Sequence, residues 1–469
     1  MYLYGASGHA KVIIDILKAV GESINGLIDD NPEVEQLQGY AVEHGYFGQT
    51  PLIISIGSNF VRKKIAERIG ANYLEQPVRS ANGAIEKYFL KSTDFGQGKC
   101  DVIVTYCWNR VGYNILRSLA RKGLNVWAAD TSRHNICSMS RFASGSFVYP
   151  DPFKNETGFI DCLLKWVDEL KPQMLLPTHD ESLVIAKNRE KFPPWLIIPI
   201  ADYDLLKNLS NKKIATKLAK SLGIPTPKVY ESLEEVEYPC VMKTVIGNSA
   251  KTVFFPNNKV ELERLLKSYA NEEILIEEKC GGLDYSVDCV RSDKICFAST
   301  YKSTLTKTKG GGTSTQREIV NCPELEEYAK RILNAVNYNG VCGIDFKYDE
   351  ETNKIAFIEI NARYTGGLAT PVAAGFDIPY IHFCQSTKVA YHEQFKIQTG
   401  VKTKWILGDF ITLLTRVAHF NLTVKELKQI LNFRHFEAFD DWRNDDRKAF
   451  IGELYYYLNK LIKNRKLNP

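Results

Sequence analysis

The 469-residue sequence lacks several features that would assign a chain to a broad class of protein at once. No apolar run approaches the ~20 residues that a membrane-spanning helix needs. The 11 cysteines are odd in number and show no C-x-x-C or other metal-ligand spacing, so reduced cytosolic thiols are the simplest interpretation. Lysine and arginine (60) nearly balance aspartate and glutamate (55), which argues against a dedicated nucleic-acid-binding protein. We therefore expect a cytoplasmic protein without membrane insertion or nucleic-acid binding.

Length and composition indicate a globular protein of several domains. The chain is too long for one typical core, and its length suggests about three domains. Hydrophobic residues make up 44% of the sequence and charged residues 25%, as is usual for soluble globular proteins. A predicted strand, Tyr2-Leu3-Tyr4, follows Met1 directly, so we expect no signal peptide before the fold.

Residues 340–363 carry the most chemical information and read GVCGIDFKYDEETNKIAFIEINAR. Two short apolar strands flank a polar turn at 349–353, a pattern that predicts a β-hairpin. Pairing Asp349 with Ile355 sets a register in which Asp345 faces Glu359. In the same register Gly343 faces Asn361.

Side chains alternate between the two faces of a strand, so Asp345, Glu359, Asn361 and Arg363 share one face. Two carboxylates directly opposite each other repel and destabilise the strand pair. A divalent cation removes that repulsion, and hard oxygen ligands suit Mg²⁺ that also holds substrate phosphates. A solvated outer face is the alternative, but Asn361 and Arg363 in register with the acids favour a metal–phosphate site.

The motif G-I-D-F followed by I-E-I-N-A-R resembles the metal-binding hairpin of the ATP-grasp superfamily, whose ligases activate carboxylates with ATP. The resemblance runs from about Asp101 to past Pro379 and is closest to carbamoyl-phosphate-synthase-like carboxylate–amine ligases with a single ATP-grasp unit. It implies an α/β chain with a pre-ATP-grasp α/β domain and a two-lobed α+β ATP-grasp fold. Including the first domain, described below, the expected boundaries are 1–90 for a Rossmann-like domain, 98–200 for the pre-ATP-grasp domain, 201–390 for the ATP-grasp domain (small lobe about 225–290) and 400–469 for a helical C-terminal cap.

The resemblance also implies which residues bind ATP. A helix at 211–222, with Ser210 as its predicted N-cap, would present Lys213 to the phosphates, although a solvated lysine is the alternative. Lys243 ends an apolar strand and would meet the phosphates, which the loop at 244–251 would cover. Residues 274–282 resemble the strand that holds adenine. The implied ATP-binding residues are Lys213, Lys243, Gly247, Ser249, Glu277, Glu278, Lys279, Cys280 and Asp284, with Asp284 standing where the family commonly has Glu.

Two further regions are candidates for substrate contacts. Residues 302–316 are almost all Lys, Ser, Thr and Gly, which predicts either a disordered loop or a lid over anionic substrate. The lysines favour the lid, with Lys302, Lys309, Gly311 and Thr313 as its candidate residues. Arg110 and His179 follow predicted strands of a parallel sheet, but satisfied polar loop residues are the commoner outcome for such positions.

The first 90 residues resemble a different family. The stretches Y-G-A-S-G-H-A-K-V, I-D-D-N-P and I-I-S-I-G-S-N-F-V-R follow the small N-terminal domain of bacterial nucleotide-sugar acetyltransferases, which helps hold a uridine-diphosphate amino sugar. The hexapeptide-repeat β-helix that performs acetyl transfer is missing, so acetyl transfer is not expected. Sugar-nucleotide binding would use Ser7, Gly8 and His9 at a glycine turn and Asp29 or Asp30 after the second strand.

Together these patterns predict an ATP-dependent ligase. Asp345, Glu359 and Asn361 would bind Mg²⁺ or Mn²⁺, while Lys213, Lys243 and Arg363 would neutralise charge as a substrate carboxylate attacks the γ-phosphate. An amine would then attack the acyl phosphate to give an amide, ADP and phosphate. The expected partners are a small-molecule carboxylate and amine, with a UDP-sugar of surface-glycan biosynthesis as one candidate, and the enzyme could be a homodimer. The alternatives are a catalytically silent nucleotide- or sugar-nucleotide-binding regulatory protein and a carboxylase-type ATP-grasp enzyme.

Overall fold

The computed structural model describes residues 2–4, 10, 14–15, 18, 23–44, 52–54, 98–247, 252–293, 295–309, 311–389 and 396–464. The chain divides into two compact units, one of Met1–Asp94 with Thr387–Phe395 and one of Phe95–Ser386 with Lys396–Pro469. The finer domain boundaries given above stay predictions. Among the described residues, no helix is long and apolar enough to cross a membrane. All eleven cysteines carry free thiols.

The first unit contains a five-stranded sheet in the order β3-β4-β2-β1-β5. Its central strands pair in parallel, β1 with both β2 and β5. Buried apolar residues such as Leu3 in β1 and Leu27 in β2 explain why these two segments form strands that are covered on both faces. Ser7, Gly8 and His9 lie outside the described residues. The strands are β1 (Tyr2–Tyr4), β2 (Gly26–Ile28), β3 (Gln36–Leu37), β4 (Tyr40–Glu43) and β5 (Leu52–Ile54).

The second unit begins with a four-stranded parallel sheet in the order β8-β7-β6-β9. Because the strands are parallel, their carboxyl ends lie at one edge, where Asp130 at the end of β7 meets the loops that carry Tyr106 and His179. The elements are β6 (Val102–Val104), α1 (Arg110–Arg121), β7 (Val126–Asp130), β8 (Gly145–Val148), α2 (Glu156–Leu170), β9 (Met174–Leu176), α3 (Glu181–Lys187) and a 3₁₀ turn (Arg189–Lys191).

A small three-stranded sheet follows, in the order β11-β10-β12. The helix predicted at 211–222 begins later than expected, since its N-cap is Asn211, whose side chain accepts a hydrogen bond from the Ile214 amide. Ser210 instead ends the preceding helix, so the predicted cap was wrong. The elements are α4 (Tyr203–Ser210), α5 (Lys212–Ser221), a 3₁₀ turn (Leu233–Glu235), β10 (Cys240–Thr244), β11 (Val253–Phe254), α6 (Lys259–Ser268) and β12 (Ile274–Glu278).

A seven-stranded sheet in the order β17-β16-β13-β14-β15-β18-β19 forms the largest layer. Its buried face, including Ile344 and Phe346, packs against Leu325 and Ile332 of the covering helix in one core. The elements are β13 (Leu283–Ser292), β14 (Ile295–Thr308), β15 (Gly311–Val320), α7 (Pro323–Ala335), β16 (Gly340–Asp349), β17 (Lys354–Asn361), α8 (Ala369–Ala373), α9 (Ile378–Thr387), β18 (Lys402–Lys404), α10 (Ile406–Ala418), α11 (Val424–Leu431), β19 (Ala438–Phe439) and α12 (Arg447–Asn464).

Two expectations need correction here. Residues 302–316 do not form a long loop, because most of them belong to the paired strands β14 and β15. Their threonines fit a strand well, and Leu305 and Thr315 are buried within it. The C-terminal segment is mostly helical, as expected, but it also adds β18 and β19 to the edge of the sheet.

Candidate active site

The predicted register of the β16–β17 hairpin is correct at the site. Asp345 lies opposite Glu359, and Gly343 lies opposite Asn361. A bulge after Asp345 shifts the rest of the hairpin, so Asp349 pairs with Lys354 rather than with Ile355. The predicted pairing near the turn was therefore wrong, whereas the four site positions pair as predicted because the bulge offsets that one-residue error.

The two acids share hydrogen-bond donors. Asn361 Nδ2 lies 2.9 Å from Asp345 Oδ2 and 3.3 Å from Glu359 Oε1. Ser286, the neighbour of Asp345 on β13, donates its hydroxyl to Asp345 Oδ1. Burial, followed by the charge of Glu359, raises the pKa of Asp345 to about 8. The opposed pair therefore holds a proton at neutral pH unless a cation replaces it.

Gly343 allows the chain after Arg363 to cross this part of the sheet closely. A Cβ at Gly343 would lie 2.0 Å from Cγ2 of Thr365, so only glycine fits there. Thr365 Oγ1 donates to Asp288 Oδ1 at 2.8 Å, and burial raises the pKa of that carboxyl to about 7. The close approach fixes the segment that carries Arg363.

A cleft adjoins the hairpin. Among the residues that line it are Asp180, Lys212, Gly247, Glu359, Asn361 and Arg363. The cleft thus brings together residues from four segments: the loop after β9, the start of α5, the loop after β10, and the end of β17 with the residues that follow it.

Lys212 is the functional candidate that the sequence interpretation missed. Its Nζ lies 2.7 Å from the Gly247 carbonyl oxygen and 3.8 Å from Glu359 Oε2. Burial lowers its pKa, although the charge of Glu359 acts in the opposite direction. Lys213, which was predicted to face the phosphates, instead pairs with Glu273 at 2.8 Å and has 39% of its side chain exposed. Recognising Asn211 as the N-cap would have placed Lys212 in the first helical position and directed attention to it.

Lys243 and Glu277 form a buried ion pair. Lys243 Nζ lies 2.5 Å from Glu277 Oε1, and both side chains are 3% exposed. Burial raises the pKa of Glu277 while the charge of Lys243 opposes that rise. Lys243 on β10 was predicted to contact phosphate and Glu277 on β12 to contact adenine. In the structure the two side chains instead contact each other.

The other predicted nucleotide residues are distributed around this pair. The Glu278 carboxylate accepts from the Lys228 amide at 3.3 Å, and Lys279 lies 5.6 Å from the ring centre of Phe255. Asp284 pairs with Lys347 at 2.7 Å. Cys280 is half-buried, and burial raises its pKa to about 11. Ser249 lies outside the described residues.

Arg363 is held at the end of the hairpin by Asp180, with its Nε 3.1 Å from Asp180 Oδ1. Its Nη1 donates to the Tyr364 carbonyl at 3.1 Å. The arginine therefore lies at the cleft with a defined orientation.

The predicted lid residues belong to the β14–β15 hairpin. Lys302 Nζ lies 3.0 Å from Glu350 Oε1, and Lys309 Nζ lies 4.0 Å from Glu426 Oε2. Gly311 and Thr313 are at the start of β15. In the first unit, Asp29 and Asp30 directly follow β2, with Asp30 accepting from the Tyr4 hydroxyl at 2.6 Å.

The donor set at the hairpin fits Mg²⁺ or Mn²⁺ that arrives with a nucleotide. Within the described part of the chain, no group of three or more His, Cys, Asp or Glu residues forms a metal cage. Mg²⁺ is usually bound by one or two carboxylates plus substrate phosphates rather than by an all-protein cage. Asp345, Glu359 and the Asn361 amide oxygen supply such a partial set.

Comparisons with known proteins agree with this geometry. The family model described as "ATP-grasp in the biosynthetic pathway with Ter operon" matches residues 270–408, and the PglD N-terminal domain model matches residues 1–69. The D-alanine–D-alanine ligase of Fusobacterium nucleatum is 27% identical over 163 residues, which are 32% of this chain and 55% of that one. The carbamoyl phosphate synthase large chain of Clostridium acetobutylicum is 24% identical over 205 residues, which are 40% of this chain and 17% of that one.

The chain thus spans less than two thirds of either relative. The solved structure of N5-carboxyaminoimidazole synthetase from Staphylococcus aureus, complexed with ADP, matches with a TM-score of 0.54 and 17% identity. That match covers 68% of this chain and 86% of the synthetase, and it supports the fold. The chain carries a PglD-type N-terminal domain and an ATP-grasp domain.

Proposed function

We propose that this protein is an ATP-dependent ligase that activates a carboxylate as an acyl phosphate and joins it to an amine. The observation that carries the proposal is the set of Glu359, Asn361, Lys212 and Arg363 around one cleft, with Asp345 paired opposite Glu359 on the hairpin. This set combines oxygen ligands for a cation with two positive charges for transferred phosphate, as phosphoryl transfer requires. The similarity to a D-alanine–D-alanine ligase supports carbon–nitrogen bond formation.

In this proposal each residue acts through position and charge. Bound Mg²⁺ would neutralise the phosphates of ATP and polarise the transferred group. Asp345, Glu359 and the Asn361 amide oxygen would hold the cation, and without it the Asn361 Nδ2 donates to both carboxylates. Lys212, rather than the more exposed Lys213, neutralises phosphate charge at the mouth of the loop after β10. Arg363 binds the substrate carboxylate or the γ-phosphate.

The buried Lys243–Glu277 pair has a supporting role at the nucleotide. The charge of Lys243 is already neutralised by Glu277. Lys243 can therefore contribute to phosphate binding only if its ammonium group contacts the phosphate and Glu277 at the same time. We assign the pair to the wall of the nucleotide site, where its removal would leave a buried charge without a partner. The predicted contact of Glu277 with adenine stays part of the proposal.

A screen of ATP turnover tests the ligase function. Purified protein is incubated with ATP and Mg²⁺ against a panel of carboxylates, including D-alanine, aspartate and glucuronate, crossed with ammonium chloride and amino acids. We expect ADP and phosphate in equal amounts, with an amide, for at least one combination. A carboxylase-type enzyme would instead form ADP when bicarbonate is added and no amine is present. A silent regulatory protein would bind ATP without turnover.

We further propose that the amine or the carboxylate is attached to a nucleotide-linked sugar, as in surface-glycan assembly. The match of residues 1–69 to the PglD N-terminal domain supports this acceptor class, as do Asp29 and Asp30 at the carboxyl end of β2. Titration of the full chain with UDP-N-acetylglucosamine tests it. Asp29→Asn should weaken binding, whereas Glu35→Gln, at an exposed position of the same unit, should not. Absence of binding to any sugar nucleotide would limit the domain to a structural role.

A further inference from the structure

The outer face of helix α12 carries an apolar stripe, formed by Ile451, Tyr455, Leu458 and Ile462. These four residues follow one another at intervals of three and four positions, so they lie along one side of the helix. All four are exposed, from 46% for Tyr455 to 76% for Ile462. A surface helix of a globular protein usually presents polar side chains to solvent. The stripe therefore marks an interaction surface rather than an ordinary solvated face.

The opposite face of α12 fixes the direction of the stripe. Tyr456 and Tyr457 are buried in an apolar core together with Trp405. Gly452 lies against the loop after β7, where a Cβ would be 2.4 Å from the Asn135 carbonyl oxygen. The helix cannot rotate the stripe inward without losing this core and this close contact, so the fold itself holds the stripe outward.

The charges that α12 exposes beside the stripe are positive. Arg447 and Lys448 are exposed at the start of the helix, and at 100° per residue they project to the two sides of the stripe. Lys460 and Lys463 follow toward its end. The only acid in the sequence of α12, Glu453, is buried. The exposed face of the helix thus combines an apolar centre with basic flanks.

The loop after β7 extends this basic surface. The His134 ring meets the Tyr455 ring edge to face, with the ring centres 5.4 Å apart, and its neighbour Arg133 is exposed. In the sequence, Arg465 and Lys466 directly follow the helix. Two segments that are distant along the chain therefore place basic residues around the same stripe.

The two acids that directly precede α12 already have partners. Asp445 Oδ2 lies 2.8 Å from Arg117 Nη2. Asp446 is buried and accepts a hydrogen bond from the Arg141 amide at 3.0 Å. Neither carboxylate is thus available to neutralise the basic residues beside the stripe, and the surface is complementary to a negatively charged one.

We propose that α12 docks on the surface of an anionic lipid bilayer. The stripe enters the boundary between headgroups and acyl chains, while the basic residues contact anionic headgroups, so the helix lies in the plane of the surface and does not span it. Tyr455 suits this boundary because its ring is apolar and its hydroxyl is polar. A second copy of the chain fits less well, since a symmetric contact would bring the same basic residues of both copies together. This docking is independent of the ligase function.

Co-sedimentation of the full chain with vesicles tests the proposal. We expect binding to vesicles of equimolar phosphatidylcholine and phosphatidylglycerol, much weaker binding to phosphatidylcholine alone, and a loss of binding as salt screens the charges. The double variant Leu458→Asn/Ile462→Asn should lower the partition coefficient about tenfold or more, because the apolar contact is lost. Val260→Asn, at a 75% exposed apolar residue of α6, is the matched control and should bind like the unaltered protein.

The basic flanks are tested separately from the stripe. Arg447→Gln and Lys448→Gln should each lower binding to the phosphatidylglycerol vesicles about fivefold, and their combination should reduce the salt dependence. All these positions are exposed, so the melting temperatures of the variants should stay close to that of the unaltered protein. ADP formation in solution should also be unchanged, which separates a failure of docking from a failure of the ligase function.

Three outcomes would overturn the docking. Equal sedimentation of the protein with and without phosphatidylglycerol vesicles would show that the surface does not bind anionic lipid. Undiminished vesicle binding by Leu458→Asn/Ile462→Asn would remove the stripe from the contact. A dimer in sedimentation equilibrium without lipid, which the same double variant converts to a monomer, would instead assign the stripe to an interface between two copies of the chain.

Discussion

Asp345 and Glu359 lie directly opposite each other on β16 and β17, and the Asn361 amide bridges both carboxylates. Like charges in this arrangement destabilise a strand pair unless a proton or a cation lies between them. Burial and, after it, the charge of Glu359 raise the pKa of Asp345 to about 8. The pair is therefore better suited to binding a cation than to stabilising the fold.

Replacing Glu359 with glutamine should separate function from stability. We expect Glu359→Gln to abolish ADP formation, because the cation loses one of its two carboxylates. The free energy of unfolding without Mg²⁺ should stay the same or rise, since Asp345 no longer faces the charge of Glu359 and this gain offsets the loss of the 3.8 Å contact of Glu359 with Lys212. Urea unfolding and an ADP assay measure the two effects. Glu351→Gln, in the exposed turn of the same hairpin, is the control, and full turnover by Glu359→Gln would remove the site assignment.

The neighbouring lysines Lys212 and Lys213 give a matched pair of variants. Lys212→Met should reduce ATP turnover on the order of 10²-fold or more, because a buried charge beside Glu359 is lost. Lys213→Met should keep most activity, since its amine pairs with Glu273 on a partly exposed surface. If Lys213→Met had the larger effect, the original assignment from the family resemblance would be restored.

Asp440 should be important for stability rather than for chemistry. Its Oδ2 accepts from Arg110 Nε at 2.9 Å and also pairs with Arg317, and all three side chains are buried. Asp440→Ala would leave two buried arginines unpaired, at a cost of about 3–5 kcal/mol in unfolding free energy. Asp445→Ala breaks a more exposed pair with Arg117 and should cost about 0–1 kcal/mol. Equal urea midpoints for the two variants would contradict this difference.

His382 predicts a specific sensitivity to acid. Burial lowers the pKa of His382 to about 4, from an ordinary value of 6.5. Its Nδ1 lies 2.8 Å from the Tyr364 hydroxyl oxygen. The unfolded chain takes up this proton below about pH 6.5, but the folded protein does so only near pH 4, so stability is lost as pH falls through that window. The loss attributable to this group is about 3 kcal/mol.

The pH dependence of urea unfolding tests this prediction. His382→Gln has no group to protonate, so its stability should fall less between pH 6.5 and pH 4 than that of the unaltered protein. His435→Gln, at an exposed histidine, should follow the unaltered curve. Parallel curves for the unaltered protein and His382→Gln would show that this histidine does not carry the acid sensitivity.

The sequence predicted the parts of the site that depend on local pattern. Strand alternation and a short turn placed Asp345 opposite Glu359, because the bulge between this pair and the turn offsets the one-residue error in the pairing predicted at the turn. Apolar strands joined by helices likewise indicated a parallel sheet, which the structure contains. The N-cap of α5 was missed because Ser210 and Asn211 are both good capping residues, and tertiary contacts decided between them. Because the predicted helix start was wrong by one residue, Lys213 rather than Lys212 was predicted to face the phosphates.

Contacts between distant segments were not predictable from pattern. The Lys243–Glu277 pair joins two strands whose relative register no local signal gives. The Asp180–Arg363 contact joins side chains 183 residues apart. The polar segment at 302–316 was predicted to be a disordered loop or a lid because its composition is polar, yet threonine-rich strands form when a sheet covers one face.

Product analysis of one turnover with hydroxylamine tests the central claim most directly. Protein, ATP, Mg²⁺ and the active carboxylate are mixed with hydroxylamine, and the nucleotide products and hydroxamate are quantified. The account predicts hydroxamate and ADP in equal amounts, with phosphate, and loss of both with Glu359→Gln. Formation of AMP and pyrophosphate instead would show that the carboxylate is adenylated, which would contradict the acyl-phosphate mechanism.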